Sequence, residues 1–157
     1  MGFAKLSLKG RALKLLAQRE HSRSELQTKL SRHVEEGDDL NAVLDELEAK
    51  NYIDPERVAA SVVHRRAARM GTQRVVQELR SKGLDDELIR ATAQALQATE
   101  LERAHAVWKG RFGGRDIEST SQERARQMRF LAARGFSGDV VRKVLKRAGQ
   151  PDEEGDF

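Results

Sequence analysis

The side chains that most often bind metals or perform catalysis are sparse and scattered in this chain. Its four histidines, His21, His33, His64 and His105, stand alone, and none belongs to an HExxH pattern. The chain has no cysteine, which excludes disulfides and thiolate metal sites. The segment at 110–115, GRFGGR, has glycines without the spacing or the Lys-Ser/Thr ending of a phosphate-binding loop. We therefore expect a protein that is not an enzyme and that needs neither a metal nor a cofactor.

Arginine clusters are the more informative chemical signal. The first cluster surrounds a predicted turn between the fourth and fifth helices and comprises Arg65, Arg66, Arg69 and Arg74. We expect Arg65 and Arg69 to share a face of the fourth helix, where their repulsion favours an anionic partner. The second cluster flanks the longest predicted loop and comprises Arg111, Arg115, Arg124, Arg126 and Arg129. Because no aromatic residues interleave with these arginines, any nucleic acid contact should involve the backbone rather than stacked bases.

The overall charge supports an acidic partner. The chain carries 29 Lys and Arg against 25 Asp and Glu, a formal charge of +4. Four of the acids lie in the segment 151–157, PDEEGDF, so residues 1–150 carry those four charges more, or +8. A basic body suits nucleic acid or an acidic protein groove, while a well-solvated helical surface is the alternative. We expect the acidic segment to be a disordered tail.

The elements that must position these arginines are predicted to be helices. Hydrophobic residues are 38%, aromatic residues 4% and charged residues 34% of the chain, which favours stacked helices over a sandwich or barrel. Apolar residues at helical spacing predict nine helices. No apolar run approaches the roughly 20 residues that span a bilayer, and no secretory signal is evident. We therefore expect an all-α, soluble, cytoplasmic protein with no membrane contact.

Polar residues at helix-capping positions predict where these helices begin. Ser22 with Glu25, and Thr99 with Glu102, have the spacing of capping boxes. Asp54 followed by Pro55 predicts the start of helix four, which we expect to end at Gly71. Asp85 and Ser137 are predicted to open helices six and nine. The predicted core stripes include Val34 in helix two, Met70 in helix four and Met128 in helix eight.

One helix–helix joint occurs twice. The segment 78–90 reads ELRSKGLDDELIR and the segment 130–142 reads FLAARGFSGDVVR. Their glycines, Gly83 and Gly135, suit the left-handed residue that follows a helix. A degraded third copy lies near Leu30, which corresponds to Leu79 and Leu131, and such spacing is typical of helical repeats. We predict three tandem three-helix repeats, stacked into an elongated, curved body, at 1–52, 53–98 and 99–150.

The basic residues inside these joints have two interpretations. Lys82 and Arg134 precede the two glycines at equivalent positions, and Arg80 lies beside Lys82. Cations near a helix C-terminus complement the helix dipole, which is a purely structural role. Contact with an anionic partner is the other interpretation, and the sequence leaves both open.

Four motifs in order resemble the landmarks of the bacterial RecX family. They are REHSRSELQTKL at 19–30, YIDPERVA at 52–59, ELRSKGL at 78–84 and FLAARGFSGDVV at 130–141. The resemblance extends over residues 8–148. It departs from the family pattern at Pro55, where a second acidic residue is frequent, and at Val58, where an aromatic residue is common.

The resemblance implies a monomeric regulator that binds the RecA recombinase and RecA filaments on single-stranded DNA. Such a protein limits filament extension or promotes disassembly, and so inhibits ATP hydrolysis and strand exchange. Both arginine clusters, with Arg80, Lys82 and Arg134, are then candidates for contact with RecA or DNA phosphate. A stand-alone helical DNA-binding protein and a helical adaptor for another protein partner are the alternatives.

Overall fold

The computed structural model describes residues 5–114 and 120–149. Within these ranges the chain forms nine α-helices, one short 3-10 helix and no β-strand, which confirms the predicted all-α class. The helices are α1 (Leu8–Gln18), α2 (Arg23–Leu30), the 3-10 helix (Ser31–His33), α3 (Leu40–Ala49), α4 (Pro55–Arg66), α5 (Thr72–Ser81), α6 (Asp86–Gln97), α7 (Glu100–Phe112), α8 (Ser121–Ala133) and α9 (Gly138–Ala148). No helix of the described part is long and apolar enough to cross a membrane. Arg115 and the acidic segment 151–157 lie outside the described residues.

Most of the predicted helix starts are confirmed by side-chain caps. At α2 the Ser22 hydroxyl accepts a hydrogen bond from the Glu25 amide (3.1 Å), and the Glu25 carboxylate accepts one from the Ser22 amide (3.2 Å). The carboxylate of Asp54 accepts bonds from first-turn amides of α4, and that of Asp85 does the same for α6. Ser137 caps α9 through the Val140 amide. These caps satisfy donors that have no partner within their own helix.

The second predicted capping box, Thr99 with Glu102, is wrong. The Thr99 backbone (φ −112°, ψ 2°) lacks the extended conformation from which a cap side chain reaches the first-turn amides. Its hydroxyl instead donates to the Leu96 carbonyl (3.2 Å) and accepts from Arg103 Nε (3.1 Å). Two competing local hydrogen bonds, to the Leu96 carbonyl and from Arg103, therefore replace the cap.

Two core predictions fail because a helix ends early. Helix α2 stops at Leu30 and a 3-10 turn follows, so the helical period does not extend to Val34, which is 42% exposed. Helix α4 ends at Arg66, not at Gly71, so Met70 lies outside the helix. Arg69 lies outside it as well, and the predicted shared face of Arg65 and Arg69 is therefore wrong.

A third core prediction fails inside a helix. Met128 in α8 is 38% exposed, whereas its neighbour Gln127 is buried. The Gln127 side-chain carbonyl accepts a hydrogen bond from Trp108 Nε1 (2.9 Å), which satisfies two polar groups at once. The face of α8 that packs inward is thus chosen by a polar pair that an apolar pattern does not reveal.

The described chain divides into two compact units. Residues 5–61 with 79–89 form the first unit, and residues 62–78 with the described part of 90–149 form the second. In the first unit, α1, α2 and α3 enclose a core of Leu8, Ala12, Leu26, Leu30, Leu44, Leu47 and Ile53. Burial of each such leucine stabilises the fold by about 2 kcal/mol.

The core of the second unit lies among α7, α8 and α9. Its buried members are Ala104, Leu131, Phe136, Val141, Val144 and Leu145. Phe112 meets Phe130 edge to face, with ring centroids 5.4 Å apart. Because α8 is packed through Leu131, its outer face is free to carry charge.

Candidate partner-binding surface

In the first unit, the joint between α5 and α6 lies directly against the start of α2. Gly83 is left-handed (φ +72°), and the Leu84 amide closes the turn on the Leu79 carbonyl (3.4 Å). A Cβ at Gly83 would be 2.7 Å from the Cβ of Ser24. Glycine is therefore required here twice, for its backbone angle and for the close approach.

The second unit repeats this relation at the joint between α8 and α9. Gly135 is left-handed (φ +91°), and a Cβ there would be 2.4 Å from Cγ of Arg74 in α5. The Gly71 amide, just before α5, donates to the Arg134 carbonyl (2.7 Å). In the first unit the left-handed glycine after α5 packs against the start of α2, and in the second unit the left-handed glycine after α8 packs against the start of α5. This shared packing explains why the same joint occurs twice in the sequence.

Lys82 belongs to this joint and not to an open surface. It is 9% exposed, and its ammonium donates to Glu25 Oε1 (3.0 Å), while Arg19 binds Glu25 Oε2 (2.7 Å). Burial alone would raise the pKa of Glu25, but Arg19, Lys82 and the Ser22 amide lower it from 4.5 to about 2. We therefore remove Lys82 from the candidate contacts, since its charge is already neutralised inside the first unit.

A buried histidine adjoins this network. His21 is 1% exposed, its Nδ1–H donates to the Arg19 carbonyl (3.0 Å), and its Nε2 accepts from the Lys29 ammonium (3.0 Å). Burial lowers the pKa of His21, and the charges of Arg19 and Lys29 lower it further, against a backbone hydrogen bond that acts to raise it. The ring is thus held neutral, with each nitrogen in a fixed role.

Acid is expected to destabilise the first unit in two stages. Because the folded pKa of His21 lies below its unfolded value of about 6.5, the unfolded chain takes up more protons and stability falls below that pH. Glu25 stabilises the fold fully above pH 4.5, and this contribution, on the order of 2 to 3 kcal/mol, is lost as the pH falls towards 2. Urea unfolding across this range measures both stages.

The His21→Gln variant isolates the first stage. It should flatten the pH dependence of the unfolding free energy below about pH 6.5 and leave the stage near pH 4 intact. His64→Gln, at an exposed position, is the matched control and should retain both stages. An unchanged His21→Gln profile would contradict the role assigned to this ring.

The first predicted arginine cluster is only partly free. Arg65 and Arg66 lie 3.5 Å and 3.3 Å from the two carboxylate oxygens of Glu78, and each keeps almost half of its side chain exposed. Arg74 donates to the Ala133 carbonyl at the end of α8 (2.9 Å), which is a structural role. Repulsion between arginines on one helix face is thus no argument for an anionic partner.

The structure brings two arginines together over the ring of Phe130. The guanidinium of Arg111 lies 5.8 Å from the ring centroid and that of Arg134 lies 5.2 Å from it. Arg134 also donates to the carbonyl of Arg69 (3.4 Å). Arg111 of the second predicted cluster thus shares Phe130 with the joint residue Arg134, and Arg134 serves the packing of its own unit by binding the carbonyl of Arg69 from the first cluster.

The outer face of α8 is the most open basic surface among the candidates. Arg126 and Arg129 line a groove of about 620 Å³ together with Gln122 and Ala125. Arg126 lies 3.6 Å from Glu123, with 59% of its side chain exposed. Arg124 and Arg129 are exposed, and their side chains form no hydrogen bond or ion pair within the described residues. Arg80 in α5 is exposed as well.

Two features escaped sequence reasoning. Arg103 makes five hydrogen bonds, to Ala67, Met70, Thr72, Leu96 and Thr99. Its position in the first turn of α7, where the helix dipole disfavours a cation, was the available signal.

The second feature is a basic groove beside α1, lined by residues that include Arg11 and Lys14. Their spacing of three places them on one helix face, which the sequence shows. Among the described residues no group of three or more His, Asp or Glu side chains is placed to hold a metal ion.

Repeated helical joints and an arginine-lined outer helix define a helical-repeat protein with an exposed basic surface. Family models of the first, second and third three-helix domains of RecX match residues 9–47, 54–92 and 98–145. The chain therefore belongs to the RecX family of regulatory proteins, and its all-α fold consists of three RecX three-helix domains.

Individual relatives and solved structures agree with this assignment. The chain is 52% identical to regulatory protein RecX of Leptothrix cholodnii, covering 91% of this chain and 90% of the relative. It is 48% identical to regulatory protein RecX of Ralstonia nicotianae, over 96% and 94% of the two chains. The crystal structure of RecX from Lactobacillus salivarius shares the fold with a TM-score of 0.74 at 18% identity, covering 89% of this chain and 93% of that one.

Proposed function

We propose that this protein binds RecA and RecA filaments on single-stranded DNA and inhibits their ATPase and recombinase activities. It does so by limiting filament extension or by promoting disassembly. The observation that carries this proposal is the match of all three RecX domains, in order, between residues 9 and 145. Relatives of similar length bear the name regulatory protein RecX, which supports a regulatory role over an enzymatic one.

We assign the contact with the filament to exposed arginines, all of which lie in the second unit except Arg80, which lies in the first. The principal group is Arg124, Arg126 and Arg129 on α8, and the secondary group is Arg65, Arg66, Arg69, Arg80 and Arg111. The side chains of Arg124 and Arg129 have no internal ion pair or hydrogen bond within the described residues, so they can bind carboxylate or phosphate without first breaking one, and Arg126 gives up only an exposed pair with Glu123. Arg74 and Arg134 are excluded, because both already bind backbone carbonyls of their own unit.

The direct test is RecA ATPase activity on single-stranded DNA with this protein titrated in. Inhibition at a small fraction of the RecA concentration would indicate capping or destabilisation of filament ends. Inhibition only near one protein per RecA would indicate occlusion of the filament. An ATPase rate that stays constant at every ratio would refute the proposal.

The triple variant Arg124→Glu, Arg126→Glu and Arg129→Glu is expected to weaken this inhibition by about tenfold at low salt. Reversing three exposed charges at the proposed contact replaces attraction to an anionic partner with repulsion and so slows association. The fold should persist, because all three side chains are exposed on α8. Circular dichroism checks the fold, and the ATPase titration gives the concentration needed for half inhibition.

The matched control reverses three exposed cations elsewhere in the same unit, namely Arg90, Lys143 and Lys146. It makes the same change in net charge and should leave inhibition within about twofold of the unmodified protein. If both triple variants lose inhibition equally, net charge rather than the α8 surface governs binding, and the assignment to α8 falls.

A further inference from the structure

A groove of about 410 Å³ lies on the first unit, between α1 and the segment from the end of α2 through the 3-10 helix. Arg11 and Lys14 line one side of this groove, and Lys29 and Arg32 line the other. The arginines of α8, to which the proposed function assigns its principal contact, do not contribute to it. Binding at this groove is therefore independent of the proposed function.

The cations of this groove differ from the other cations near it. Lys5 pairs with Glu35 (3.3 Å) and Lys9 with Glu46 (2.7 Å), both at short range. Arg11, Lys14 and Arg32 have no ion pair or side-chain hydrogen bond anywhere in the described chain. Positive charge is thus concentrated on the groove while it is neutralised around it, which favours an anionic occupant.

Lys29 is held at the groove by a residue that cannot neutralise it. Its ammonium donates to the buried, neutral ring of His21 (3.0 Å), so the group is oriented but keeps its full charge. Burial lowers the pKa of His33, which also lines the groove, and the neighbouring charges of Arg11 and Arg32 lower it further. An anion bound in the groove would reduce the repulsion among these positive charges.

The groove also offers apolar surface. Leu6 lines it with 48% of its surface exposed, and Leu15 lines it from α1 as a partly buried residue. Exposed leucine beside unpaired cations is a combination that a ligand can cover only if it carries both carboxylates and apolar side chains. A nucleic acid strand fits less well, because the groove has no Phe, Tyr or Trp side chain to stack on its bases and His33 is its one ring.

We propose that this groove binds a peptide segment of a partner protein in which acidic residues alternate with large apolar residues. The carboxylates would bind Arg11, Lys14 and Arg32, and the apolar side chains would cover Leu6 and Leu15. An adjoining groove of about 320 Å³ shares Arg11 and Arg32 but includes Glu35 and Asp38. Those carboxylates repel acidic residues from that end, so the peptide lies on the Lys14 side of Arg11 and Arg32.

The test is fluorescence anisotropy of the full-length protein with labelled probes at low ionic strength, where charge pairing is least screened. The first probe is a synthetic peptide that alternates Glu with Leu. The second replaces every Leu with Ser at equal charge, and the third is oligothymidylate. We expect the Glu-Leu peptide to bind about tenfold or more tightly than either of the others.

Two variants test separately the charged and the apolar side chains of the groove. Arg11→Glu with Arg32→Glu should abolish binding of the Glu-Leu peptide, and Leu6→Ser should weaken it several-fold without a change in net charge. Lys143→Glu with Lys146→Glu, on α9, is the charge-matched control and should leave the affinity unchanged. Circular dichroism of each variant verifies that the helices remain folded.

Three outcomes would overturn the proposal. Equal binding of the Glu-Ser peptide would show that charge alone acts, and tighter binding of oligothymidylate would show that the groove serves nucleic acid. Concentration-dependent dimerisation that is lost in Arg11→Glu with Arg32→Glu would show that a second copy of this chain is the occupant. RecA ATPase inhibition is measured separately, so failure here leaves the proposed function untouched.

Discussion

The Gly71→Ala variant is expected to lower the free energy of unfolding of the second unit by about 3 kcal/mol or more. A Cβ at this position would lie 2.3 Å from the carbonyl carbon and oxygen of Gly135 and 2.4 Å from the amide nitrogen of Phe136. All three are backbone atoms, so no side chain can rotate away to make room. The bond from the Gly71 amide to the Arg134 carbonyl (2.7 Å) would be lost with the displacement.

Gly110→Ala is the matched control for this prediction. Gly110 lies in α7 of the same unit, and a Cβ there would meet nothing within 4 Å. The same substitution should therefore stabilise the protein by about 0.5 kcal/mol, because alanine is a better helix former. Urea unfolding monitored by circular dichroism gives both values, and similar effects at the two positions would show that the close approach at Gly71 is absent.

The Arg103→Met variant is expected to cost about 3 to 4 kcal/mol, close to the effect of breaking a buried charge network. Its guanidinium donates to the carbonyls of Ala67 (2.9 Å), Met70 (2.7 Å) and Leu96 (3.0 Å). The Ala67 and Met70 carbonyls tie the segment between α4 and α5 to the start of α7, and methionine would remove the donor that these two carbonyls share. Residues 67–71, between the end of α4 and the start of α5, belong to no helix, so helical backbone bonds do not satisfy these carbonyls. The Leu96 carbonyl would keep its bonds from the amide and hydroxyl of Thr99.

A neighbouring carboxylate adds to this cost. Glu100 is 6% exposed, and its Oε1 has no hydrogen-bond partner among the described residues. Burial lowers the pKa of Arg103, while the charge of Glu100 acts to raise it, so the two groups stabilise each other electrostatically. Removing the guanidinium leaves a buried carboxylate without a compensating charge.

Two substitutions separate the bonding of Arg103 from its charge. Arg103→Lys keeps the charge but not the planar fork of donors, and we expect it to recover less than half of the lost stability. Arg90→Met, at an exposed position in α6, should change the unfolding free energy by less than about 0.5 kcal/mol. A full recovery by lysine would show that charge, and not the set of five hydrogen bonds, is what the second unit needs.

Helix starts were predictable where the chemistry is contained within one turn. Ser22 with Glu25 caps α2, and Asp54 and Asp85 cap their helices, because each interaction joins residues two or three positions apart. Thr99 has the same local pattern but does not cap α7, because its hydroxyl oxygen accepts a hydrogen bond from Arg103 Nε. The local rule holds only where no other side chain competes for the same group.

The basic surface was predictable as a set of residues but not as a set of free charges. Lys82 and Arg80 are near neighbours in sequence, yet the first is buried against Glu25 and the second is exposed. Arg74 and Arg129 likewise differ, because only Arg74 meets a helix C-terminus. The exposure and the pairing of these side chains depend on distant residues whose positions in the fold the linear sequence does not reveal.

The sequence by itself determined the helical class, most helix starts and the repeated left-handed glycine joint, because these follow from side chains within a few residues of one another. The tertiary structure decided which cations are free. Glu25 binds Lys82 from 57 residues away, and Ala133 accepts from Arg74 across 59 residues. Such pairs form only after the helices pack, since packing alone brings these groups into hydrogen-bonding distance. The arginines of α8 and the groove beside α1 are the positive charges that this packing leaves open to a partner.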